Sequence, residues 1–343
     1  MDASPDAYPL GLDLASAQAR VIPMTEAVYR AASFHNDQLL ARTGPGRLVP
    51  WAELRAAASR LDGESDFIFH IGHVGSTLLS RILGDHERVF ALREPPPLRA
   101  LAIAEAGAAT PQDARRVIQT YLPSLSRLYA RVYRPGQRGL VKATSFVGEI
   151  GPALLDHAPS AQAILMFATP ATYLTTMLSS AGARADLAPM AGLRLARLNR
   201  RIGGTGWAPP PACDGERAAL GWASEVRALV EIADRYPDRI LWLDIDEILN
   251  KPARGLAAAL HRLHGAAPED AVATLAASPH FSRYAKAPEH AYDAALRGQI
   301  LGSGWNLHRA EIERGFAWLK TAAAGHSAIA AAARRIASLP KLS

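Results

Sequence analysis

The sequence predicts an α/β protein built on a parallel sheet flanked by helices. Two observations carry this. A short apolar or β-branched run is followed by helical periodicity four times along the chain. The first of these runs ends in a glycine-containing turn that opens directly into a helix. Taken in order, residues 1–62 read as a mostly helical N-terminal extension, because Trp51, Leu54, Ala58 and Leu61 fall at helical spacing. The first strand spans 66–71 (DFIFHI) and leads through His73–Val74–Gly75–Ser76–Thr77 into an apolar helical stretch at 78–83. A further strand is expected at 88–92. Strands at 139–143 and 163–167 precede helices running toward Asp156 and Ser180, and a strand at 240–244 precedes one containing Ile245–Leu249. Between the last two lies a helical insertion at about 181–237, in which Leu220, Ala223, Val226, Val230 and Ala233 form one apolar stripe. The turn-rich segment 203–215 before it has the length of a lid or a loop tip. From about Glu311 the chain is alanine-rich and helical. The expected organisation is therefore an extension over 1–62 and one α/β domain over 63–343 with helical additions in its middle and at its end.

Composition narrows the class. Of 343 residues, 49% are hydrophobic and 20% charged, which suits a packed core. The 38 basic and 32 acidic residues leave a charge of +6, compatible with an anionic ligand or with a plain solubilising surface. A single cysteine, Cys213, excludes a disulfide framework and a cysteine-built zinc site, and fits a cytoplasmic location. The acidic start lacks the features of a secretory signal, and no apolar stretch approaches the roughly 18 residues that would span a bilayer, so no membrane association is expected. Nucleic acid is not expected either, since aromatic and basic residues are not interleaved. His261 and His264 lie three apart on an expected helix with no third ligand suggested nearby; a surface pair is favoured and no metal site is expected. Arg194, Arg197 and Arg201 share one helix face and are read as solvated, the alternative being a contact with an acidic acceptor.

The run that carries chemistry is FIFHIGHVGSTLLSRIL, residues 67–83. A strand ending in such a turn builds an anion cradle. The backbone N–H groups of Val74 to Leu78 point inward, the helix N-terminus adds its positive end, and Ser76 and Thr77 offer hydroxyls. Gly72 and Gly75 let the backbone approach an oxyanion without a Cβ in the way. The common nucleotide-binding pattern G-x-x-x-x-G-K-[ST] is not met, because His70 holds its first glycine position and Ser76 its lysine position. A turn of this kind that binds nothing has the same pattern.

This run, with the later Leu92–Arg93–Glu94–Pro95, resembles sulfotransferases that use 3′-phosphoadenosine 5′-phosphosulfate (PAPS). The likeness is to bacterial sulfotransferase-like proteins and, more distantly, to tyrosylprotein sulfotransferases. Weaker points of likeness are Val141–Lys142, 164–177, 240–252, YAKAPEH and the LGSGW segment containing Gly304 and Trp305. The resemblance implies a P-loop-type sheet, PAPS as co-substrate without a metal, and transfer of its sulfuryl group to a hydroxyl on a small molecule, saccharide or peptide. It implies that the 72–78 turn holds the 5′-phosphosulfate. The family's spacing, counted forward from His73, places the general base at Glu94; pairing with Arg93 or capping of a helix is the alternative role.

Two departures stand out. His73 occupies the place of a lysine or arginine. Beside a phosphosulfate its pKa would rise, allowing it to donate to the leaving oxygen. The arginine and serine that bind the donor's 3′-phosphate in the family fall on Ala168 and Thr176, so a different cation is needed; Arg184, Arg283 and Lys286 are the candidates. Lys142, at a strand's C-terminal end, is placed to contact donor or acceptor, or to make a structural ion pair. Two other readings follow from the missing arginine: a transferase or hydrolase using an adenine nucleotide without a 3′-phosphate, or a non-catalytic member that binds nucleotide or protein.

Overall fold

The computed structural model describes residues 4–204, 209–287 and 289–339. The first three strands, β1 (Ala7–Asp13), β2 (Gln18–Pro23) and β3 (Arg47–Pro50), form an antiparallel sheet in the order β1-β2-β3. The other five are β4 (Ser65–His70), β5 (Val89–Arg93), β6 (Arg138–Lys142), β7 (Ala163–Phe167) and β8 (Ile240–Asp244). They form one sheet in the order β5-β6-β4-β7-β8, with every neighbouring pair parallel.

The physical reason for this sheet is visible in β4, where every residue from Ser65 to His70 is buried. A strand covered on both faces by crossover helices has no solvated side to alternate with, and Phe67, Ile68 and Phe69 fill both faces. β4 lies between β6 and β7, and the chain continues from it first toward β5 on one side and later toward β7 and β8 on the other. An open parallel sheet leaves a crevice at the C-terminal strand ends where this reversal occurs. Register sharpens the placement: Arg93 at the end of β5 is level with Lys142 at the end of β6, and Ile68 of β4 is level with the same lysine.

The N-terminal segment departs from the mostly helical expectation. The helices Glu26–Ala31 and Trp51–Ala58 are present, but three strands accompany them. Pro9 and Gly11 obscure the alternation of β1, whose pairing with β2 shifts register between those two residues. What holds the strand is tertiary. Arg131 donates to the carbonyls of Ser4 (2.8 Å) and Ala7 (2.7 Å), and the Tyr129 hydroxyl donates to that of Pro9 (3.0 Å).

The insertion is helical, as expected, with helices Ala181–Ala185, Leu187–Arg201 and Asp214–Arg235; residues 205–208 of its turn-rich segment lie outside the described residues. Leu220, Ala223, Val226, Val230 and Ala233 are buried, so the apolar stripe does pack inward. The arginines of Leu187–Arg201 do not form a solvated face. Arg197 is fully buried and donates to Glu149 (2.6 Å) and Glu225 (2.7 Å), with its guanidinium 3.8 Å from the Phe146 ring centroid. The Arg201 side chain is 7% exposed and pairs with Glu149 and with Glu231 (3.0 Å). Both carboxylate partners of Arg197 lie on other elements, so helix spacing alone did not reveal them. Removing Arg197 would strip the buried Glu225 of its cation, while Glu149 would keep Arg200 and Arg201. Arg197→Ala should therefore destabilise the fold by about 3–5 kcal/mol, read as a large fall in the urea midpoint.

Candidate functional site

The turn after β4 is built by backbone constraint. Gly72, His73 and Gly75 have φ of 89°, 55° and 70°, all in the left-handed region. A Cβ on Gly75 would lie 2.3 Å from Cδ1 of Ile245, so glycine is required there by contact as well as by conformation. The helix Ser76–Gly84 starts immediately after, with Gly75 as its N-cap and no side chain capping it. Ser76 and Thr77 are buried in its first turn, and the Thr77 hydroxyl has no hydrogen-bond partner. His70, at the end of β4, accepts the Gly72 N–H on Nδ1 (3.0 Å), which fixes the tautomer with Nε2 protonated.

These groups open onto a cavity of about 440 Å³ over the C-terminal ends of the central strands. Its floor is the turn from His73 to Leu78, with Glu94 after β5 and Lys142 at the end of β6. Glu94 also has positive φ (58°), and its N–H donates to the Lys142 carbonyl (2.7 Å). That conformation turns the carboxylate back onto the Lys142 ammonium, and the two side chains form an ion pair. Lys142 is only 1% exposed; burial pulls its pKa down to about 8, against the opposing pull of Glu94.

The opposite wall comes from the distal half of the chain. Residues 283–287 and 289–292 fold back on each other through an Arg283–Ala291 bridge and a Tyr284 N–H donated to the His290 carbonyl (2.8 Å), presenting Tyr284, Lys286 and Tyr292 to the cavity. Arg81, from the helix that begins at Ser76, fixes this segment by donating to the Ala285 carbonyl (2.9 Å) while also reaching the Ser33 hydroxyl (2.7 Å). Beside it, the helix Ala294–Leu307 contributes Arg297, which is buried, donates through Nε to Asp246 (2.7 Å), and has Nη2 without a hydrogen-bond partner.

The structure thus gathers His73, Val74, Gly75, Ser76, Thr77, Leu78, Glu94, Lys142, Thr176, Arg283 and Lys286 around one cavity, with Gly72 in the turn behind it. Arg184 is elsewhere, paired with Asp214 at 2.7 Å. Gly304 and Trp305 do not line the cavity. Gly304 allows its helix to cross close to Ser179, where a Cβ would lie 2.0 Å from the hydroxyl, and Trp305 packs toward Phe316. Ala168 is 1% exposed, and its carbonyl accepts the Trp222 indole N–H (2.9 Å), so position 168 belongs to the core. Sequence reasoning missed Arg297. Its one signal was a lone arginine within an otherwise uncharged helical stretch.

Burial of the His73 ring, with Lys286, Arg194 and Lys142 nearby, pulls its pKa down to about 4, so in the free protein it is a neutral imidazole at pH 7. Among the described residues, the cavity lining contains one carboxylate, Glu94, against Lys142, Arg283, Lys286 and Arg297. Such a site attracts a ligand carrying several negative charges.

No family model and no curated protein matches the chain. Solved structures similar to it include a sulfotransferase domain from the curacin biosynthetic pathway (13% identity, 76% of this chain and 98% of that one, TM-score 0.40). Others are a sulfotransferase from Mycobacterium avium (14%, 75% and 80%, 0.40) and one from Alicyclobacillus acidocaldarius (15%, 74% and 96%, 0.37).

The ion pair yields a direct test. Glu94 is the group that holds the Lys142 pKa up against burial. In Glu94→Gln the Lys142 midpoint should fall below its value of about 8, as measured by competitive acetylation of that lysine across pH. An unchanged midpoint would mean that the carboxylate does not govern the ammonium.

Proposed function

We propose that the cavity binds PAPS and that the protein transfers its sulfuryl group to a hydroxyl acceptor. The observation that carries this reading is the turn at 72–78, whose residues His73 to Leu78 line the same cavity as the Glu94–Lys142 pair, with the Thr77 hydroxyl buried and unpartnered. An anion cradle and a proton acceptor with an adjacent cation are what an in-line sulfuryl transfer requires. The sequence resemblance and the excess of cations in the lining support the same donor.

In the proposed reaction the acceptor oxygen forms a bond to sulfur as the bond from sulfur to the bridging phosphate oxygen breaks. Glu94 takes the acceptor proton. Protonation of Glu94 releases the Lys142 ammonium from its partner, leaving that charge to stabilise the sulfuryl oxygens. His73 donates an N–H toward the departing bridging oxygen; the arriving negative charge raises its pKa from about 4. Arg297, with Nη2 unused and Nε anchored on Asp246, is the cation we assign to the donor's 3′-phosphate in place of the family arginine.

One observation favours a second reading. Position 168 is sealed beneath Trp222, so the family's own 3′-phosphate arginine has no counterpart there. A transferase or hydrolase using an adenine nucleotide without that phosphate would need none.

Calorimetry with 3′,5′-ADP against 5′-AMP separates the two. Under the first reading 3′,5′-ADP binds at least about tenfold tighter, or ~1.4 kcal/mol, and Arg297→Gln removes most of the difference. Equal affinities in the unaltered protein would transfer the assignment to the second. With an acceptor in hand, Glu94→Gln should cost on the order of 10²–10⁴ in turnover while donor affinity persists; binding with no turnover across an acceptor panel would leave a non-catalytic nucleotide binder. Thr77→Val should weaken donor binding without lowering the melting temperature, because the hydroxyl it removes has no partner in the free protein.

A further inference from the structure

The N-terminal segment carries none of the resemblance, yet one of its side chains lies against two lysines that line the cavity. The Phe34 ring centroid lies 5.6 Å from the Lys142 ammonium and 5.9 Å from that of Lys286. These lysines come from β6 and from the 283–292 segment, and both line the cavity. Two ammonium groups near a single carboxylate repel each other. The negative face of an aromatic ring attracts both without adding a formal charge.

Residue 34 is held firmly in place. His35, next in the chain, donates its N–H to the Arg93 carbonyl (2.8 Å) and accepts the Arg93 N–H on Nδ1 (3.0 Å). Arg93 in turn donates through Nε to the Ala32 carbonyl (2.9 Å), and Arg81 reaches Ser33. The stretch 32–35 is therefore riveted to the end of β5, one residue before Glu94. Such anchoring exceeds what a passive covering loop requires.

We infer that Phe34 is a positioning residue whose ring holds the ammonium groups of Lys142 and Lys286 at the mouth of the cavity, making the N-terminal segment a working part of the site. The groups facing Lys142 are Glu94 and Arg93 from the end of β5, His70 from β4, His73 from the turn after it, and Lys286; Lys286 also faces Glu94, His70 and His73. Its consequence for donor affinity rests on the proposed PAPS reading, but the placement of the lysines does not.

The test compares Phe34→Leu, which keeps an apolar volume and removes the aromatic face, with Phe34→Trp, which keeps the face. Competitive acetylation across pH reports both lysines in the full-length protein, with thermal melting as a control for folding. In the leucine variant the Lys142 and Lys286 midpoints should each fall by about half a pH unit, and in the tryptophan variant they should return toward the original values. Binding of 3′,5′-ADP should weaken severalfold in the first and recover in the second. Unchanged lysine midpoints in a folded Phe34→Leu protein would overturn the inference, as would equal loss in both variants. If the unaltered protein does not bind 3′,5′-ADP, the PAPS reading fails, and the lysine midpoints still decide the role of Phe34. Should the leucine variant fail to fold, Phe34→Met provides the same comparison.

Discussion

A buried ammonium is the constraint on which the arrangement of this site depends. Lys142 ends a central strand at 1% exposure, and desolvating a charge to that degree is tolerable only where compensation is close at hand. The register of β5 against β6 brings the chain after Arg93 alongside Lys142, and the left-handed turn at Glu94 supplies the carboxylate. That turn is strained for a residue with a side chain, and strain of this sort persists only where its surroundings enforce it. The Glu94 N–H donated to the Lys142 carbonyl and the ion pair between the two side chains are that enforcement.

The same economy of charge explains the opposite wall. Cations outnumber acids in the cavity lining, and burial, reinforced by those cations, keeps the histidine in the turn neutral. A protein gains nothing in stability from crowding like charges together. A multiply charged anionic ligand, by contrast, relieves the crowding on arrival. The unpartnered Thr77 hydroxyl and Arg297 nitrogen fit that account, being polar groups buried in advance of a partner.

How much of this could be read from the chain follows from where each partner sits. The strands β7 and β8 lay in the sequence as short apolar runs, and the turn at 72–78 as glycines and hydroxyls between a strand and a helix. These are local signals. Arg197 had the spacing of a surface arginine and is buried, because its carboxylates, Glu149 and Glu225, come from other elements. The N-terminal sheet was hidden by Pro9 and Gly11, and it exists through contacts with residues near 130. Arg297 and Phe34 were illegible for the same reason: nothing beside Arg297 in the chain announces the cavity it borders, and nothing beside Phe34 announces the two lysines it meets.

Arg81 draws these distances together. From one helix it holds Ser33, 48 residues earlier, and Ala285, 204 residues later. Contacts so far apart along the chain must be closed against the full entropy of the intervening segments, and they slow folding accordingly. The cavity above the turn needs Arg283, Lys286 and Arg297, so its walls are synthesised long after the cradle's own residues and the cleft cannot be complete before them.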